Sequence, residues 1–246
     1  MATAGRGRGA GPERAFLVPL PDCGPVALRG EEAHHLVRVR RAEPGDEVVL
    51  FDGLGGTRLA RLVAATREEV TLEVTGPYPD REPRREVTIA VALPAAGRAD
   101  ELIADLAEMG VTVVIPLACE RSAPDTRERN ARRADRFDRL AREAAKVNGR
   151  SRVLRVEETR AFRDALPRPG ASRAILLDPD SGLSSLSHAL AGLPGPVLLI
   201  VGPEGGFSAA EVEEAAAAGV ALATLGACAL RVETAARAAG AIALCP

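Results

Sequence analysis

Apolar and polar positions follow two rhythms along this chain. Residues 14 to about 77 carry short β-like runs at Ala15–Leu20, Glu47–Phe51, Arg58–Val63 and Val70–Val74. Turn signals separate them, at Pro44-Gly45-Asp46 and Asp52-Gly53-Leu54-Gly55-Gly56. Short strands at such spacing predict a small β-barrel. Pro77 to Arg85 holds three prolines among charges and reads as a linker. From Glu86 onward strands alternate with helices. Val87–Leu93 and Val111–Pro116 read as strands, and Asp100–Met109 sets Leu102, Ile103, Leu106 and Met109 on one helical face. Arg127–Val147 reads as one long charged helix. Ala174–Leu177 and Val197–Val201 are continuous apolar runs, as buried parallel strands are. Val220–Leu225 adds a strand, and Glu233–Leu244 closes the chain as an alanine-rich helix. The alternation predicts an α/β domain over residues 86–246, after a barrel over 14–80 and a disordered tail over 1–13.

The most informative stretch is Leu198 to Glu211, where an apolar run meets Gly202-Pro203-Glu204-Gly205-Gly206 and then a helix start. Ser208 and Glu211 have capping-box spacing, and Phe207 and Val212 have staple spacing. The loop lacks the lysine and hydroxyl of a P-loop, and it is not a dinucleotide fingerprint. It is either a tight turn that needs glycine dihedrals or a ligand site with open backbone amides. The stretch Leu225 to Ala236 repeats the logic of strand, glycine-bearing loop and helix, so the two loops can wall one pocket. Arg231 and Glu233 bracket the second helix start. Either Glu233 complements the helix dipole while Thr234 caps, or these residues face a ligand.

Composition narrows the classes. A net charge of −2 is no global signature of nucleic-acid binding, so RNA contact needs a local basic patch. Cys23, Cys119, Cys228 and Cys245 form no CxxC pair and read as reduced cytosolic thiols, which predicts a cytoplasmic protein. His34, His35 and His188 make no metal set. The uncharged stretch Ala215 to Leu230 is interrupted by Gly219 and Gly226 and falls short of the roughly 18 apolar residues of a membrane span.

The segments LIVGPEGGFSAAEVEEA and LGACALRVETAARAAGAIAL resemble the RsmE family of SPOUT-class RNA methyltransferases. The likeness extends upstream through His35-Leu36-Val37-Arg38-Val39-Arg40 and Phe51-Asp52-Gly53. It continues in Ala107-Glu108-Met109-Gly110-Val111, Ile115-Pro116-Leu117, Glu120-Arg121-Ser122, Glu143-Ala144-Ala145 and Gly149-Arg150. The resemblance implies a PUA-like barrel that binds RNA, then an α/β domain whose C-terminal segment forms a deep trefoil knot. It implies methyl transfer from S-adenosylmethionine to N3 of a uridine in small-subunit (16S) ribosomal RNA, by a homodimer acting on ribosomal RNA or the small subunit. Backbone groups of Gly202, Gly206, Leu225, Gly226 and Leu230, with Leu177 and Thr234, are then expected to hold the cofactor. Arg231 is expected to stabilise charge on the base, and Glu204 or Glu233 to accept a hydrogen bond or a proton. Arg14, Arg38, Arg40 and Arg121 are expected to contact RNA.

The chain departs from the family pattern at Ala95-Ala96-Gly97-Arg98, at Ala104-Asp105 and at Lys146-Val147. These changes make the presumed RNA face less basic. A methyltransferase acting on a ribose 2′-hydroxyl or on tRNA is the alternative enzyme. A non-catalytic RNA-binding assembly factor is the alternative outside enzymes.

Overall fold

The computed structural model describes residues 12–39, 41–66, 68–79, 82–83, 85–167, 173–179 and 182–245. Of the tail expected over residues 1–13, residues 1–11 lie outside the described residues, and Glu13 already belongs to a strand that pairs with Val48. The chain forms two compact units, Met1–Glu82 with Lys146–Arg152, and Pro83–Ala145 with Val153–Pro246.

The first unit contains β1 (Glu13–Phe16), β2 (Gly24–Arg29), α1 (Gly30–His34), a π-helical turn at His35–Val39, β3 (Glu47–Phe51), β4 (Thr57–Ala65) and β5 (Glu69–Pro77). The strands make one sheet in the order β1-β3-β4-β5-β2. Only β1 and β3 run parallel among these ladders. Leu36, Leu50, Leu62 and Leu72 fill its core, each at most 1% exposed. Two register shifts in the β4–β5 ladder carry both strands past the ends that simple alternation marks. Strand β2 escapes the hydropathy pattern because Leu28 is its one buried residue. Residues 146–152 join this unit through Glu82. Its carboxylate accepts from the Arg152 amide at 2.7 Å, the Ser151 amide at 2.9 Å and Arg150 Nη2 at 2.9 Å. Lys146 Nζ lies 2.6 Å from Glu32 Oε1 in the same unit.

In the second unit the order is β6 (Val87–Val91), α2 (Ala96–Met109), β7 (Val113–Ala118), α3 (Thr126–Ala131), α4 (Ala134–Asn148), β8 (Arg155–Val156), β9 (Arg160–Ala161), α5 (Phe162–Ala165), β10 (Arg173–Leu177), α6 (Leu186–Leu190), β11 (Val197–Val201), α7 (Ala209–Ala217), β12 (Ala221–Ala223) and α8 (Val232–Leu244). The sheet runs β12-β10-β11-β6-β7-β8 with every ladder parallel. Alternate residues feed two cores. Ile89, Val91, Leu199 and Val201 pack with Leu102 and Leu106 of α2 and Ala236 and Ala239 of α8. Ala90, Leu198 and Ile200 pack on the other face with Phe162 and Ala215. A sheet covered on both faces explains the unbroken apolar runs of β10 and β11. Helix α8 is alanine-rich because it packs closely. A Cβ at Gly240 would stand 3.3 Å from Met109 Cε and 3.5 Å from Ile89 Cδ1.

The single helix expected over Arg127–Val147 is two. Asn130 is buried and its side chain donates to Thr159 Oγ1 at 3.2 Å, while Arg133 turns to pair with Asp100 of α2. Those tertiary ties end α3 at Ala131, and α4 restarts so that Phe137 and Ala141 enter the core. Mixed charges still pair at i,i+4 spacing, as Arg132 at the C-cap of α3 does with Glu128 at 3.2 Å.

Candidate active site at the carboxyl ends of three parallel strands

The site follows from register. Leu177 of β10 is paired with Val201 of β11 on one side and with Ala223 of β12 on the other. The three neighbouring strands thus end at one level. Strands lie about 4.8 Å apart, so the loops leaving β11 and β12 start about 10 Å apart, with the exit of β10 between them. In open parallel sheets this carboxyl edge is where ligands bind.

The loop after β11 is tightly shaped. Gly206 adopts φ +71° and its amide donates to Pro203 O at 2.9 Å. At Gly202 the Phe207 ring comes so near that a Cβ would sit 2.9 Å from it. Phe207 in turn packs on Phe162, ring centres 5.3 Å apart. The capping box is complete: Glu211 N donates to Ser208 Oγ at 3.3 Å and Ser208 N to Glu211 Oε2 at 2.9 Å. Glu211 Oε1 also accepts from the Glu120 amide at 2.9 Å, and Arg121 Nη1 donates to Gly205 O at 2.8 Å. The β7 exit therefore braces the glycine loop. In the loop after β12, Thr224 Oγ1 donates to Gly226 O at 3.0 Å, and Gly226 holds φ +133°.

A cavity of about 290 Å³ lies between the two loops. Its walls include Leu177, Gly202, Glu204, Gly206, Leu225, Gly226 and Leu230, together with Asp178, Pro179, Cys228 and Ala229. A Cβ at Gly206 or Gly226 would meet no atom within 4 Å, so both loops present bare backbone. Gly202→Ala forces Phe207 to shift and is expected to cost about 1–3 kcal/mol of stability. Denaturant unfolding of the variant measures that cost, and an unchanged midpoint would refute the close approach.

A second cleft shares Glu204, Ala229 and Leu230 with the first and adds Arg98 and Arg231. Arg98 spans the two loops, with Nη2 3.1 Å from Glu204 Oε1 and Nη1 3.3 Å from Glu233 Oε1. These two carboxylates raise the Arg98 pKa. Glu233 is 7% exposed, in the first turn of α8. Burial pushes its carboxyl upward, but its own backbone N–H, the Arg98 hydrogen bond and charge, and the Arg231 charge together bring it below the usual value. It is an anion at neutral pH and a counter-ion to Arg98, which makes it a weak proton acceptor.

Several of the expected residues also have structural contacts of their own. Thr234 is exposed and is absent from the walls of both clefts, and it does not cap α8. The N-cap of α8 is Arg231, whose guanidinium has no acceptor to offer the helix amides and makes no side-chain cap bond, while Glu233 places a carboxylate in the first turn. Arg14 Nη2 donates to Arg150 O at 2.7 Å, and its guanidinium lies 5.1 Å from the centre of the Phe51 ring, so it ties the first unit together. Arg38 is exposed in the π-helical turn, Arg121 is exposed beside the glycine loop, and Arg40 lies outside the described residues. Asp105 pairs with Arg237 Nε at 2.6 Å and Lys146 with Glu32. Both side chains thus form ion pairs within their own unit. Arg98, which the sequence marks only by its place at the end of Ala95-Ala96-Gly97-Arg98, is the side chain that links Glu204 to Glu233 and lines the second cleft.

Comparison with known proteins agrees with this geometry. The family model described as an RNA methyltransferase domain matches residues 80–244, and one described as an RNA methyltransferase PUA domain matches residues 28–75. The chain is 31% identical to the ribosomal RNA small subunit methyltransferase E of Bacillus subtilis (strain 168), covering 85% of each chain. It is 31% identical to the protein of that name from Mycobacterium tuberculosis (strain CDC 1551 / Oshkosh), covering 90% of this chain and 87% of the relative. The crystal structure of a ribosomal RNA small subunit methyltransferase E from Neisseria gonorrhoeae bound to S-adenosyl methionine superposes with TM-score 0.83 at 28% identity, covering 94% of this chain and 96% of that one. With its paired loops walling one cavity and both regions of the chain matched, this chain belongs to the RsmE family of SPOUT-class ribosomal RNA methyltransferases.

Proposed function

We propose that the protein methylates N3 of a uridine in small-subunit (16S) ribosomal RNA, with S-adenosylmethionine as donor. The observation that carries this reading is the cavity between the Gly202–Gly206 and Leu225–Leu230 loops, with Arg231 in the adjoining cleft. The residues fit the cofactor. Bare backbone at Gly206 and Gly226 suits hydrogen bonding to an adenosine, and Leu177 supplies an apolar surface for the purine. The volume is near the lower end for small-molecule sites, about 300 Å³. S-adenosylmethionine, when bound, supplies an electrophilic methyl on sulfur.

The protein's own task is to hold the base in line and manage its charge. Removing the N3 proton spreads negative charge onto the two base oxygens. Arg231 is the donor proposed to stabilise it. Glu204, exposed and tied at one oxygen to Arg98, is the proposed acceptor of the N3–H hydrogen bond and of the proton that leaves N3. A base inside a duplex is out of reach, so the target uridine is unpaired or flipped. Arg38 and Arg121 are the proposed RNA contacts, the first on the PUA-like unit. The reading includes a homodimer, testable by sedimentation, and the knotted threading implied by the family.

Calorimetry and nucleoside analysis test it together. The expected result is heat of binding with S-adenosylmethionine and loss of 3-methyluridine from small-subunit rRNA when the gene is deleted. Cofactor binding with unaltered 3-methyluridine overturns the uridine assignment. No binding at millimolar cofactor overturns the enzyme reading and favours an assembly factor.

A further inference from the structure

We infer that the cleft between Arg98, Glu204 and Arg231 seats the target base, and that Arg98 is a specificity-determining residue in it. The inference rests on the uridine reading above. The cleft opens beside the proposed cofactor cavity and shares Glu204, Ala229 and Leu230 with it. Its polar groups are two guanidiniums and one carboxylate. A phosphate would be repelled by that carboxylate. A uracil imide edge presents carbonyl, N–H and carbonyl, and needs donors for its two oxygens and an acceptor for its N–H. Arg98 and Arg231 supply the donors and Glu204 the acceptor. Leu230, 42% exposed, offers an apolar surface against a flat ring. Cytosine carries a bare acceptor at N3 and would set lone pair against carboxylate, which is costly in a partly desolvated site.

Arg98 suits the role because it is held from behind. Its bond to buried Glu233 and its bond to Glu204 use two of the five N–H donors of a guanidinium. The remaining three sit on a plane already oriented by both loops, so little freedom is lost when a base binds. A lysine at this position would keep the charge but lose the fork.

The test uses small ribosomal subunits from a strain lacking the gene, tritiated S-adenosylmethionine and the full-length protein. Arg98→Ala is expected to lower kcat/KM by about 10- to 100-fold, with the cofactor Kd within about threefold of wild type. Arg98→Lys, which keeps a cation opposite both carboxylates, is expected to stay about tenfold or more below wild type. It decides the matter if the alanine variant does not fold. Both variants within threefold of wild type, or a cofactor Kd rising in step with the loss, overturn the role of Arg98 while the uridine reading stands. A wild-type product other than 3-methyluridine overturns both.

Discussion

Replacing Arg231 with alanine is expected to lower kcat by about 10²- to 10³-fold, the range for losing one preorganised donor at a developing anion. Affinity for S-adenosylmethionine is expected to stay within about threefold. Arg231 is exposed, stands at the N-cap of α8 without a side-chain cap bond, and lines the second cleft rather than the first. Its removal therefore leaves the helix start and the cofactor walls in place. Single-turnover methyl transfer and calorimetry on one preparation separate the two effects. Equal losses in rate and in cofactor affinity would make Arg231 part of the cofactor grip instead.

Glu82→Ala should destabilise the first unit by about 1–3 kcal/mol, because the Arg152 and Ser151 amides and the Arg150 guanidinium lose the half-buried carboxylate that accepts from all three. The Glu82 and Arg150 side chains are 14% and 6% exposed, with Arg150 Nη2 2.9 Å from Glu82 Oε2. Burial pushes the Glu82 carboxyl upward. The Arg152 amide, the Arg150 hydrogen bond and charge, and the Ser151 amide outweigh it, so the pKa falls below the ordinary 4.5. The sign follows from linkage: a carboxyl depressed on folding contributes stability above its unfolded pKa and loses it as pH falls through the folded one. Wild-type stability should decline below about pH 4.5 and keep declining through the lower folded pKa, whereas Glu82→Gln should lack this part of the decline. Urea unfolding at a series of pH values measures both. Parallel curves for wild type and Glu82→Gln would remove Glu82 from the account.

Local signals were legible where one segment carries the whole cause. Ser208 and Glu211 announce the start of α7 three residues apart, and both bonds of the box form. The apolar run Val197–Val201 is buried at every position, as a central parallel strand must be. The paired glycine loops were readable as walls of one pocket because each needs a glycine at a turn, and both line the cavity. Arg98 was not legible, because its two partners lie 106 and 135 residues away and no local pattern links them. Thr234 stands near the helix start as a cap would, yet the N-cap is Arg231, and Glu233 is the acidic residue of the first turn. The break between α3 and α4 has the same origin, since Asn130 and Arg133 are claimed by Thr159 and Asp100 from other elements.

Taken alone, the order of residues determined the alternation of strands and helices, the capped start of α7 and the two loops able to approach a ligand, because each depends on dihedral preferences and hydrophobic period within a few neighbouring positions. Tertiary structure decided that β10, β11 and β12 end in register, that Arg98 joins Glu204 to Glu233, and that residues 146–152 return to the first unit. Those are pairings between distant segments. Burial and charge neutralisation select them only once the sheet has brought the segments together.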